Sequence, residues 1–551
     1  MKPGVERCLP GACGGKNKAM TTQAKLFTVI LGSVFLALVS NVVMRTEGQE
    51  QALSRTHNQI REFVRELKHD MSPPLRDMVP LSTAASPHHG IPARRLPHTH
   101  IGAPDPLVQL SASLSATPSP LVGFPGLGSG DYGFNVAAAP PDTNGSAGAT
   151  QYVQWVNLSF AVFDKTTGIL QYGPAAGNTL WTGFGGGCET NNDGDPLAQY
   201  DKLAGRWVMT QFSVSTTPYL QCLAISTTSD AMGPWFRYAL SVGPDFPDYP
   251  KLGVWPDAYY MSFNMFSGSA FAGAKACALN RTNMLVGLPT TAVCFQLSSS
   301  YSGLLPSDLD GALPPLAGSP NSFLNFGSNS LRLWQFHTDF IAPGNSTFTG
   351  PTAIPVAAFS PACNGGTCIP QLGTSQRLDS LGDRLMYRLA YRNFAGANPP
   401  HESLVVNHSV TAARRTGVRW YELRRSGGAW SVFQQGTYSP DTNFRWMGSI
   451  AMDKAGNIAV GYSVSSKQIN PSIRYAGRVP TDPLGTLETD VAIKVGTGSQ
   501  LSSLNRWGDY SSMSIDPIDD CTFFYTTEYL KNYGTFNWST WIAKLKFPSC
   551  Q

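Results

Sequence analysis

The sequence predicts an all-β protein whose folded body, residues 131–551, is a β-propeller of six or seven four-stranded blades. Three observations carry this reading. The 551 residues are 42% apolar and 11% aromatic but only 14% charged, a composition that excludes a disordered chain and a coiled coil. The 54 glycines and 41 prolines mark frequent turns between short strands. The third observation is a degenerate repeat in which an alternating segment, an Asp-centred turn and a second apolar strand recur.

Taken in chain order, residues 1–25 are basic, with Lys2, Arg7, Lys16, Lys18 and Lys25. They precede Leu26 to Met44, 19 residues without a charge, long enough to cross a bilayer with the basic flank in the cytoplasm and the body outside. A transmembrane signal-anchor and a cleaved signal peptide are both compatible with this run. From Gln49 to His69, Leu53, Ile60, Val64 and Leu67 fall at helical spacing, which predicts a short membrane-proximal helix. The remainder of 45–130 is rich in Pro, Ser and His and reads as a flexible linker. His88, His89, His98 and His100 lie in that tract without Cys or carboxylate company, so the linker reading is preferred to a metal site.

In the body, the turn aspartates of the repeat are Asp164, Asp201, Asp257, Asp383, Asp453 and Asp516. A carboxylate at that place accepts backbone N–H groups two residues on and closes a hairpin. Spacings of 37, 56, 126, 70 and 63 residues suit blades of about four strands, and residues 320–358 supply strands for a further copy within the widest gap. The C-terminal strand STWIAKLKF then pairs near the start of the domain to close the ring. Residues 121–551 hold 27 Lys and Arg against 28 Asp and Glu, and this neutrality argues against nucleic acid as a partner. Eight body cysteines fall as sequence neighbours, predicting Cys188–Cys222, Cys277–Cys294, Cys363–Cys368 and Cys521–Cys550 and an oxidising compartment.

PPDTNG (140–145), GDPLAQYDKLAGRW (194–207), DYPKLGVWPDAYY (248–260), DSLGDRLMYRLAYRNF (379–394) and RWGDYSSMSIDPIDDCTFFYTTEY (506–529) together resemble an uncharacterised family of large secreted bacterial propeller-like proteins. That resemblance implies export and fold, and no activity. AISTTSDAMGPWFRY (224–238) is similar to a strand–turn–strand segment of propeller-type glycoside hydrolases. It also resembles the Asp-box turn of sialidases, from which it departs in placing Gly233 three residues after Asp230.

The chemistry the residues offer is of three kinds. Glycoside hydrolysis needs two facing carboxyl groups held in different protonation states, and the catalytic candidates are Asp257, Asp509 and Glu528. Arg384, Arg445, Trp446, Arg506, Trp507, Asp509 and Tyr510 recur at the entries of repeats and are expected to converge as a ligand site for an anionic or sugar group. Asn191, Asp193 and Asp195 in NNDGDP form a candidate calcium site, the single cofactor expected and a structural one. A Ser–His–Asp system lacks support, because the body has only His337, His401 and His408 and no GxSxG elbow. The expected function is recognition of an extracellular or envelope polymer, carbohydrate first. A polysaccharide-cleaving hydrolase or lyase and an adhesive scaffold are the alternatives.

Overall fold

The computed structural model describes residues 54–56, 59–82, 88–91, 93–97 and 102–551. The apolar run 26–44, the basic residues before it, and His98 and His100 lie outside the described residues. Among the described residues no helix is long and apolar enough to cross a membrane. The fold is all-β with few helices: the described α-helices are single turns at Gly187–Thr190 and Arg281–Met284.

Seven sheets built by antiparallel hairpins follow one another along the chain, numbered here 1 to 7, with sheets 4 and 5 joined by a parallel pairing of their first strands. Their first strands are Thr143–Ala147, Leu197–Asp201, Phe246–Val254, Leu305–Asp310, Met386–Phe394, Phe444–Met452 and Ser512–Ile515. In each sheet the later strands add in sequence order by hairpins. The first strand of each sheet touches that of the next, and the first strand of sheet 7 touches that of sheet 1. This order is consistent with the predicted propeller. The widest gap of the repeat holds the later strands of sheet 3, the whole of sheet 4, ending at Thr347–Pro355, and the hairpin Thr367–Gln371 with Thr374–Asp379.

The turn aspartates behave as expected at four of six places. Asp164 accepts from the backbone N–H groups of Thr166 and Thr167 at 3.0 and 2.7 Å, and Asp453 from those of Ala455 and Asn457 at 2.9 and 3.0 Å. Asp201 and Asp516 do likewise with Ala204 and Ile518. Strands such as Ile458–Ser465 and Phe523–Leu530 are buried along their whole length, which requires cover on both sheet faces. Apolar clusters between successive sheets supply it: Trp155, Trp181, Trp207 and Trp235 join sheets 1 and 2, and Tyr475, Phe523, Tyr525 and Phe547 join sheets 6 and 7.

The predicted helix and linker over 45–130 are corrected. Gln59–Arg65 is a strand paired with Thr291–Gln296 on the outer edge of sheet 3, and Lys68–Met71 pairs with Trp235–Leu240 of sheet 2. Val108–Gln109 joins sheet 5. Leu121–Pro125 pairs with Trp538–Leu545 and is the fourth strand of sheet 7, so the body starts before residue 131. Apolar residues three and four apart satisfied a helical period over three turns, but an open sheet edge offers a full set of backbone partners and wins. The expected pairing of the C-terminal strand is thereby formed.

All four expected disulfides are present, with Cα–Cα separations of 5.7, 4.0, 5.4 and 5.6 Å. Four disulfides indicate an oxidising extracellular or periplasmic environment.

Candidate functional site

At the first-strand entries of sheets 1, 2, 3, 5 and 7 stand Asp142, Asp195, Asp248, Asp383 and Asp509. Carboxylate oxygens of Asp142, Asp195 and Asp509 all lie within 4.8 Å of one another. The approach depends on unusual backbone. Asp142 and Asp195 have φ of 43° and 47°, and Tyr249 and Met447, in the corresponding segments of sheets 3 and 6, have 54°. Aspartate tolerates the left-handed region through its short polar side chain, whereas tyrosine and methionine hold it only where surrounding structure enforces it.

Hydrogen bonds tie the acids to neighbouring sheets. Asp142 Oδ1 accepts the Asp509 backbone N–H at 2.7 Å, and its Oδ2 accepts from Asn157 Nδ2 at 3.0 Å. Asp195 Oδ2 accepts the Tyr249 N–H at 3.0 Å. Three cations enter the same cluster. Arg506 donates to Asp509 Oδ1, and Arg384 Nε donates to Asp383 Oδ1 at 2.8 Å. Lys251 Nζ lies 3.4 Å from the ring centroid of Tyr249 and 4.1 Å from that of Tyr510. Below, Arg388 of sheet 5 bonds Asp308 at 2.9 Å and the Met513 carbonyl at 2.9 Å, so side chains fill the space between first strands.

The electrostatics separate the acids. Burial raises Asp142 well above the usual carboxylate range, with Asp509 and Asp195 adding to the effect. Asp195 is pushed up to about 6 by burial and by Asp509, and Asp248 up to about 8 by burial and by Asp195. Burial opposes ionisation of Asp509 too, but Arg506 and Arg384 outweigh it and hold that carboxyl below its ordinary value. Lys251 is brought down to about 7 by burial. One end of the sheet arrangement therefore holds an ionised acid, protonated acids and an amine that titrates near neutrality, a combination typical of functional sites.

A strap from the N-terminal region lies over this cluster. The Ile91 N–H donates to the Ala139 carbonyl at 2.7 Å, and the Ile91 carbonyl accepts from Arg506 Nε at 2.9 Å. The Arg94 carbonyl accepts from Arg384 Nη2 at 3.0 Å, and the Leu96 N–H donates to Asp383 Oδ2 at 3.1 Å. The Arg94 guanidinium sits 4.0 Å from the Phe246 ring centroid. Beside the strap, Pro97, Asn325, Arg332, Asp383 and Arg384 line a cavity of about 100 Å³.

Of the residues expected to converge, Arg384, Arg506, Asp509 and Tyr510 do so, and Tyr510 donates to the Pro196 carbonyl at 2.9 Å. Trp446 and Trp507 are core residues instead. Both are fully buried, with ring centroids 5.7 Å apart. Arg445 is turned into sheet 6, where it bonds Asp441 at 2.7 Å and Asp490 at 2.9 Å. Asp257 lies at a hairpin turn and accepts from the Tyr260 hydroxyl at 3.2 Å. Glu528 is buried in sheet 7, accepts from Thr143 and Thr527 at 3.2 and 3.1 Å, and is pushed up to about 8 by burial.

The expected trio of calcium ligands separates. Asn191 Nδ2 donates to Ser213 and Thr216, and Asp193 accepts the N–H groups of Val214 and Ser215, so both tie loops, and only Asp195 reaches the cluster. The donor set suited to a hard cation is Asp142, Asp195 and Asp509. Asp142, Asp248 and Lys251 escaped the sequence reading, although an Asp stands near the strand entry in each of the five quoted segments. Asp383, read as a hairpin turn, binds the strap.

No family model matches the chain, and no curated protein is similar to it, so the family resemblance rests on the quoted segments alone. Solved structures that are similar include an α-L-arabinanase from Penicillium chrysogenum complexed with arabinobiose (9% identity, TM-score 0.33, 67% of this chain and 100% of that one). The N-terminal domain of Nup159 matches at 9% identity and TM-score 0.32, over 83% and 99% of the two chains. An α-L-arabinofuranosidase from Lactobacillus brevis matches at 10% and 0.27, over 64% and 89%. Scores this low carry neither fold nor activity to this chain.

Proposed function

We propose that the chain is an exported seven-bladed propeller that recognises a carbohydrate polymer at the mouth defined by Asp142, Asp195, Asp248, Asp509, Lys251, Arg384 and Arg506. The observation that carries this reading is the alternation of acceptors and donors in one cluster drawn from five sheets. A sugar hydroxyl both donates and accepts, so vicinal hydroxyls fit paired carboxylates and guanidinium groups. The strap carbonyls of Ile91 and Arg94 already place oxygens on Arg506 and Arg384, in the role ligand oxygens would take. The run 26–44 serves as the export signal, retained as an anchor or cleaved.

Hydrolysis is the second reading, favoured by one feature: Asp509 is held ionised while Asp248 is pushed up to about 8, the division of labour between a base or nucleophile and a general acid. A glycan array with product analysis, run on the wild type and Asp509→Asn, tests both. Recognition predicts selective binding that the substitution weakens about tenfold or more, as for a lost charge-assisted bond. Hydrolysis adds chain cleavage that the variant loses. Absence of any glycan binding, or equal binding by the variant, refutes the assignment.

A further inference from the structure

A second surface lies between the hairpin Thr367–Asp379 and sheet 6, apart from the mouth cluster. It is an open cleft of about 650 Å³, within the range of pockets that hold small ligands. Three chain segments each bring one cation to it: Arg377 from the hairpin, Arg414 from the turn between the second and third strands of sheet 5, and Lys467 from a loop of sheet 6. No Asp or Glu lines the cleft, and none of the three cations forms an ion pair among the described residues. This contrasts with the molecule as a whole, where buried arginines such as Arg388, Arg392 and Arg419 are matched to carboxylates and residues 121–551 are close to neutral. Phe444, partly exposed, contributes an aromatic face, and Thr442 and Gln468 add polar groups at the rim.

We infer that this cleft binds the anionic substituents of a polysaccharide, sulfate or carboxylate, with Arg377, Arg414 and Lys467 as the charge-reading residues and Phe444 as a stacking platform. Unpaired cations gathered around a concave surface create a local positive potential that attracts a polyanion, and a guanidinium takes either oxyanion through two parallel bonds. A sugar ring packs its C–H face on an aromatic side chain while its substituents meet the cations. The inference goes beyond the mouth reading and uses none of its residues.

The test measures binding of dextran sulfate, polygalacturonate, neutral dextran and a duplex DNA oligomer to the full chain, at several salt concentrations. The wild type is compared with a triple variant carrying Arg377→Gln, Arg414→Gln and Lys467→Gln, and with Asp509→Asn. At least one of the two acidic polysaccharides is expected to bind with strong salt dependence, weakening about tenfold or more in the triple variant. Which of the two binds identifies the oxyanion. The cleft assignment is overturned if neither binds, if the triple variant binds as the wild type does, or if the triple variant loses DNA or neutral dextran binding to the same extent. Failure of Asp509→Asn to alter any glycan binding strikes the mouth reading alone. The three side chains are at the surface, so the triple variant is expected to melt with the wild type, which a thermal scan verifies.

Discussion

Glu528 offers a direct measurement of the energetics of burial in this fold. Its carboxyl is fully buried in the second strand of sheet 7 and is pushed from 4.5 up to about 8, with burial the dominant cause. Between those two pH values the folded chain keeps a proton that the unfolded chain has lost, so stability falls as pH rises and the loss is complete above pH 8. At about 1.4 kcal/mol per pH unit, the penalty is at most about 5 kcal/mol. Unfolding entropy near 2.1 cal/mol/K per residue over a chain of this length turns that into a Tm change of about 4 °C. Glu528→Gln keeps the shape and removes the ionisation. The variant's Tm relative to the wild type should therefore rise by about 3 °C between pH 5 and pH 8. Any fixed packing difference appears equally at both pH values and cancels, and the other raised carboxyls, Asp142, Asp195, Asp248 and Glu488 among them, are common to both proteins. A Tm difference that stays constant from pH 5 to pH 8 would refute the reasoning, because it would mean that Glu528 ionises in the folded chain as it does in the unfolded one.

Two further outcomes follow from backbone and edges. Gly194 has φ of 98°, and a Cβ there would lie 2.0 Å from Asn157 Oδ1, the side chain that supports Asp142; Gly194→Ala should lower stability by about 1–3 kcal/mol, read as an earlier melt, and an unchanged melt contradicts the fit. A chain beginning at residue 131 loses strands from sheets 2, 3, 5 and 7 and leaves their edges unpaired; it should aggregate or fail to fold on expression, whereas a soluble, cooperatively melting product would show those strands to be dispensable.

Much of this architecture was legible in the sequence because it follows from local rules. Asp453 and Asp164 announce hairpins through their own backbone contacts, and neighbouring cysteines meet where hairpins bring them together. What escaped was set by distance along the chain. Ile60 and Val64 fit a helix until the edge of sheet 3 is present to pair with them. Arg445-Trp446 and Arg506-Trp507 look equivalent as letters, yet Arg445 is matched by Asp441 and Asp490 within its own sheet while Arg506, paired with Asp509, also meets Asp142 of sheet 1. Asp142 and Asp195 stand in plain sight in PPDTNG and GDPLAQYD, but only the approach of the first strands brings their oxygens to one point.

The outer strands contributed by residues 59–125 bear on how the protein is made. Leu121–Pro125 finds its partner in Trp538–Leu545, some four hundred residues later, and Gln59–Arg65 waits for Thr291–Gln296. A ribosome releases the early segments minutes or fractions of a minute before their partners exist, given synthesis at about 5–20 residues per second. Until its own partner has emerged, each of these strands remains unpaired and adhesive. Closure of sheet 7 is thus tied to Trp538–Leu545, and loss of either this strand or Leu121–Pro125 disables the same seam.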